Sequence, residues 1–136
     1  MNQQGVFPAV TEILPDIAEL VTTAARSCGM IDAHVAQLEL AVDEACTNII
    51  QYAYAGRDGG TIEILCEDDR KDFLVAIRDN GVPFDQTQPT EPDLNSPIEE
   101  RQVGGLGRFF MRKCVDELTY LRENDHNVLI LRKRIR

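Results

Sequence analysis

Apolar residues recur every three or four positions through Val35, Leu38, Val42, Ala45, Ile49 and Tyr52. That period predicts a long amphipathic helix, capped by Asp32, running to about Tyr54 and closed by Gly56, Gly59 and Gly60. Upstream, Pro15 and Asp16 suit the first turn of another helix, where proline loses no hydrogen bond and an acid complements the dipole. Gly29 is expected to stop that helix after Cys28. The period then falls to two. Ile62, Ile64 and Cys66 alternate with Glu63 and Glu67, and Phe73, Val75 and Ile77 alternate with Leu74 and Ala76. Two strands are predicted, with residues 68–71 as their turn. Residues 5–10 predict a short edge strand, and 117–123 and 127–134 predict two more. Between them, residues 82–103 show no period and hold four of the six prolines. A stretch of that length is usually a lid, a binding loop or disorder. Gly104-Gly105-Leu106-Gly107 then opens a short helix with Phe109, Phe110, Met111 and Val115. The expected fold class is α+β, a two-layer sandwich of a mostly antiparallel sheet with helices on one face. Alternating βαβ units are absent, which argues against a Rossmann or P-loop layout.

Composition narrows the picture. At 136 residues the chain is the size of one domain. It needs no disulfide or metal to stay folded, since a chain of this length buries roughly two-thirds of its unfolded surface. Its formal net charge of −9 falls entirely within residues 58–100, where twelve acids meet only Arg70, Lys71 and Arg78. An acidic chain lacks the Lys/Arg needed to displace counterions from nucleic acid. The closing cluster of Arg132, Lys133, Arg134 and Arg136 reads as a solvated strand end. Cys28, Cys46, Cys66 and Cys114 have no metal-ligand spacing and read as reduced, buried thiols. The first ten residues lack the basic and apolar regions of a secretory leader, and no apolar run approaches the ~20 residues of a membrane span. A cytoplasmic location with no membrane contact is therefore expected.

Three clusters carry candidate chemistry. Glu44 and Asn48 lie four apart on the long helix. That spacing puts them on one face, about 5–6 Å apart at Cβ. The amide oxygen is a hard ligand of the kind Mg²⁺ takes, and the carboxylate can serve as a base. Asp79-Asn80-Gly81 ends a strand, where a carboxylate can accept from an exocyclic amine and glycine lets a base approach the backbone. Gly104-Gly105-Leu106-Gly107 opens a helix, and backbone N–H groups there favour phosphate. Arg101 precedes the glycines and Arg108 follows them. No Lys-Ser/Thr follows, so this is not a Walker A loop. Taken singly, the three also fit a polar helix face, a turn and a hinge. Together and in this order they supply metal, base and phosphate sites.

The segments 44–54 (EACTNIIQYAY), 79–85 (DNGVPFD) and 104–111 (GGLGRFFM) resemble the N box and glycine boxes of the gyrase, heat-shock chaperone, histidine kinase and MutL ATPases. Within that group the chain is most similar to the anti-sigma factor serine/threonine kinases, from about residue 15 to 135. The resemblance implies the Bergerat ATP-binding fold, one histidine-kinase-like ATPase domain over residues 1–136, and an ATP lid at 82–103. It implies that Asn48 coordinates Mg²⁺, Glu44 is general base, Asp79 accepts from the adenine amine, and Gly81 lies beneath the base. Gly105, Leu106 and Gly107 would wrap the phosphates of ATP, with Arg101 or Arg108 offsetting γ-phosphate charge. The implied partners are an anti-anti-sigma (STAS-type) protein as substrate and a sigma factor, with the kinase a homodimer. The chain departs from the pattern at three positions: Tyr52 stands where many relatives have His, and His126-Asn127 where they often have Gly-Thr, so that a hydroxyl contact to nucleotide is lost or is replaced by Asn127.

Other functions compete. A pure binding module organised by ATP would need Asn48 and the glycines but no Glu44. A histidine-kinase domain would need a phospho-accepting histidine on a dimerisation helix, and His34 has no helical hairpin around it.

Overall fold

Residues 2–55, 57–87 and 103–136 of the computed structural model are described, the side chains of 103–106 and 108 excepted. The elements run β1 (Gln3–Pro8), α1 (Leu14–Ser27), α2 (Asp32–Asn48), β2 (Thr61–Asp68), β3 (Asp72–Asp79), α3 (Val103–Cys114), β4 (Glu117–Glu123) and β5 (His126–Arg134). The strands form one sheet of order β1-β2-β3-β5-β4 in which every neighbouring pair is antiparallel. The expected α+β architecture is what the chain adopts.

Period-two alternation sets the sheet's two faces. Ile62, Ile64 and Cys66 of β2, Phe73, Val75 and Ile77 of β3, and Leu129 and Leu131 of β5 are all buried. They share a core with Ile17 and Val21 of α1 and with Val35, Leu38 and Val42 of α2. Asp79 and Asn127 continue the same inward rows, so two polar side chains close the end of an apolar layer. Lys133 lies on this side too and is buried, against the solvated reading of the basic cluster. Its Nζ donates to Gln37 Oε1 at 2.5 Å and to the Cys114 carbonyl at 2.7 Å. Arg132 is tied down as well, 3.2 Å from Asp72 and 3.6 Å from Glu117.

Several boundaries are sharper than the sequence predicts. Asp32 is the first helical residue of α2 rather than its cap, which is Ile31 in extended backbone. α1 ends as expected, with Gly29 at φ +90° just past its last turn. The β2–β3 turn is held by Asp69, whose carboxylate accepts from the backbone N–H of Lys71 and of Asp72. The long helix does not stay α-helical to Tyr54. From Ile49 to Ala53 it is a π segment, with the Tyr54 N–H bonded to the Ile49 carbonyl at 3.0 Å. The added residue slips the helical period by one. Ala53 turns inward, and Tyr52, placed on the core stripe by periodicity, turns out to 42% exposure. Its ring packs on Phe84, 5.6 Å away between centroids.

Cys46 and Cys66 are buried, but Cys28 and Cys114 only partly so, and all four are free thiols. Burial pushes the Cys66 thiol up to about 12, which keeps it protonated and inert at neutral pH. No helix among the described residues is long and apolar enough to cross a membrane.

Candidate nucleotide site at the end of the long helix

α2 and its π extension run beneath the sequence-predicted site. Glu44 is half-buried, and Asn48, one turn on, is 1% exposed. The pair is therefore no solvated polar face. α3 crosses α2 so closely that a Cβ added at Gly107 would collide with the Glu44 carboxylate. A side chain at 107 would have to push the Glu44 carboxylate from where it lies. The N-box acid and the last glycine of the 104–107 run thus sit against each other, though 63 positions apart in sequence. Gly105, Leu106 and Arg108 lie on the α3 backbone, and Arg101 falls outside the described residues. The glycines lie inside the first turns of α3 rather than ahead of it.

Asp79 ends β3 on its inward face and is 3% exposed. Desolvation raises its pKa above the ordinary carboxylate value. Hydrogen bonds from Asn127 and the Gly81 N–H, and the charges of Arg122 and His126, pull the other way. The fold gives Gly81 a reason of its own to be glycine. A Cβ there would lie 2.7 Å from the Ala53 carbonyl carbon, and the Val82 N–H donates to the Ala53 oxygen at 3.0 Å. The loop after β3 is thereby pinned to the end of the π segment. The Asn80 N–H donates to the Tyr54 hydroxyl at 2.8 Å, which fixes the same corner from the other side.

Two further residues build the site, one known from the sequence only as a departure from the family pattern and one not marked there at all. Asn127 pairs with Asp79 across β3 and β5. Its Nδ2 donates to Asp79 Oδ1 at 2.9 Å and to the Val82 carbonyl at 2.8 Å. Its Oδ1 accepts from the Phe84 N–H at 3.1 Å, the Tyr120 hydroxyl at 2.6 Å and Arg122 at 3.3 Å. All its polar capacity goes to holding Asp79 and the loop. The signal was present in alternation, since an amide stands in a row continued by Leu129 and Leu131. Asn127→Leu should destabilise the chain by roughly 2–4 kcal/mol, because several buried groups lose their partner. Thermal unfolding should show a Tm lower by about 10 °C. The second residue is Gln86, buried at 2% exposure, which donates to the Ala45 carbonyl and accepts from Asn48, each at 3.1 Å. Nothing in the pattern of residues 82–103 marks it.

Among the described residues, no three of His, Cys, Asp and Glu gather into a metal cluster. Mg²⁺ takes few protein oxygens and completes its shell from phosphate and water. The buried amide oxygen and the adjacent carboxylate fit that ion. His34 is engaged elsewhere, its Nδ1 2.7 Å from the Arg134 carbonyl.

The histidine kinase-like ATPase domain family matches residues 7–133. The chain belongs to that family. Serine-protein kinase RsbW of Bacillus cereus is 31% identical over 130 residues, covering 91% of this chain and 79% of the relative. RsbW of Bacillus pumilus is 34% identical over 121 residues, covering 82% and 73%. These relatives place the chain in the RsbW serine-protein kinase branch, a family of ATP-dependent kinases. Among solved structures, the RsbU and RsbW domains of a Mycobacterium tuberculosis protein align with a TM-score of 0.67 at 13% identity. That alignment covers 99% of this chain and 32% of the longer protein, so this chain spans about a third of it. The catalytic domain of histidine kinase ThkA aligns at 0.57 and 17% identity, covering 98% of this chain and 96% of that one. At such identities these two likenesses speak to the fold alone.

Proposed function

We propose that this chain is a serine/threonine kinase of a partner-switching system that phosphorylates an anti-anti-sigma antagonist of the STAS type and sequesters a sigma factor. The observation that carries the reading is the meeting of Glu44 with Gly107, one helical turn from the buried Asn48. A module that only binds ATP needs a metal ligand and glycines, but has no use for a carboxylate held at that place.

The family resemblance supplies the roles, and the positions of Glu44, Asn48 and Asp79 support theirs. Asp79, aimed from the sheet end, accepts from the adenine amine, and Gly81 holds the loop that borders the base. Asn48 offers its amide oxygen to Mg²⁺. Bound Mg-ATP supplies the γ-phosphoryl group and the cation that offsets its charge. Gly105, Leu106 and Gly107, with Arg101 and Arg108, surround the phosphates, and residues 82–103 form the lid. Glu44 takes the proton of the incoming serine or threonine hydroxyl as its oxygen bonds to phosphorus and ADP leaves. Residues 1–136 act as one cytoplasmic domain, and the working form is a homodimer.

The reading is tested with labelled Mg-ATP and a panel of purified STAS-type proteins from the same genome. Transfer to Ser or Thr of one panel member is expected. Nucleotide binding with no transfer to any of them would favour the ATP-organised binding module, and no nucleotide binding would sink both.

A further inference from the structure

We propose that Gln86 is a positioning residue that sets which way the Asn48 carboxamide points, turning Asn48 Oδ1 toward the magnesium of the bound nucleotide. The proposal rests on the reading of Asn48 as the metal ligand and adds the device that orients it.

The donors and acceptors between Ala45, Gln86 and Asn48 can run in only one direction. The Ala45 carbonyl can only accept, so the Gln86 atom facing it at 3.1 Å must be Nε2. The other end of the Gln86 amide is then Oε1, which can only accept. The Asn48 atom facing that oxygen at 3.1 Å must therefore be the donor Nδ2. Asn48 Oδ1 is left on the opposite side of its amide, and a hard cation binds that atom and not the nitrogen. Without such a partner, a carboxamide presents nitrogen or oxygen with little intrinsic preference.

Gln86 is itself well fixed. It is among the largest fully buried side chains of the chain. The next residue is bound on two sides: the Thr87 N–H donates to Asp85 Oδ1 at 2.8 Å, and Arg112 of α3 donates to the Thr87 carbonyl at 2.5 Å. The clamp thus joins α2, the loop after β3 and α3. Ligand-orienting partners of this kind matter to metal affinity almost as much as the ligands do.

The test measures affinity for a non-hydrolysable ATP analogue by calorimetry, once with Mg²⁺ and once with EDTA. The unaltered chain should bind more tightly with the metal. In Gln86→Leu that gain should shrink roughly tenfold, with the affinity in EDTA unchanged. Gln86→Met, more adaptable in a tight space, carries the same test should the leucine variant fail to fold. Asn48→Ala is measured alongside and should lose the gain altogether. A gain kept in Gln86→Leu but lost in Asn48→Ala would overturn the role of Gln86 alone. A gain kept in Asn48→Ala would overturn the assignment of Asn48, and the clamp with it.

Discussion

Glu44→Gln should leave nucleotide affinity nearly unchanged and cut phosphoryl transfer by roughly 100- to 10,000-fold, the usual worth of a positioned general base. The substitution is nearly isosteric, so the helix crossing survives. Half-buried Glu44 lies where α3 crosses α2, its carboxylate in the space a Cβ at Gly107 would take. Glutamine keeps that contact and keeps the shape of the phosphate site. What it loses is the ability to take a proton. Binding therefore reports on Asn48, Asp79 and the glycines, while transfer reports on the carboxylate. The check is a paired measurement, analogue affinity beside the initial rate of phosphate incorporation into the STAS-type substrate. Transfer within tenfold of the unaltered rate would mean that positioning alone drives the reaction and that Glu44 has another task.

How far the sequence discloses such a site depends on the range of the contacts that build it. Local periodicity carried the helices and strands, because each inward position is decided by neighbours two to four residues away. The predicted stripe through Val35, Leu38, Val42, Ala45 and Ile49 is buried as expected. It fails at Tyr52, where the π segment inserts a residue and hands the inward position to Ala53. No propensity announces that change, since the Ala53 carbonyl takes its bond from Val82, far along the chain. The candidate site shows the same division. Glu44, Asn48, Asp79 and Gly107 stand in short motifs that spacing can pick out. Gln86 stands in none and Asn127 only where the family pattern is broken, and their meaning comes from partners about 40 to 50 positions away. Asn127 was still detectable as a polar break in an apolar alternation. Gln86 sits in a stretch with no alternation to break. Gly81 has a further reason that spacing does not disclose, the approach of Ala53, a contact only the fold creates.

Asp79→Asn should weaken nucleotide binding by about 10- to 200-fold, corresponding to a charged hydrogen bond of about 1.5–3 kcal/mol. An asparagine oxygen can still accept from Asn127 and from the Gly81 N–H, as Asp79 Oδ1 does. Its other terminus becomes an NH₂, which meets the adenine amine donor to donor. The raised pKa of Asp79 adds a second, more distinctive readout. Only the ionised carboxylate accepts at both oxygens, so affinity should fall as pH drops through the raised value, while an ordinary surface acid would still be ionised there. Folding stability should move the other way. Between the ordinary and the raised value the native chain holds a proton that the unfolded chain has released, so the contribution of Asp79 declines as pH rises through that window. Affinity that climbs with pH while stability slips, both trends vanishing in Asp79→Asn, would assign the two effects to this one buried carboxylate. Binding measurements and chemical denaturation across the same pH series are sufficient. A pH profile of affinity that the asparagine variant leaves unchanged would remove Asp79 from the recognition of the base.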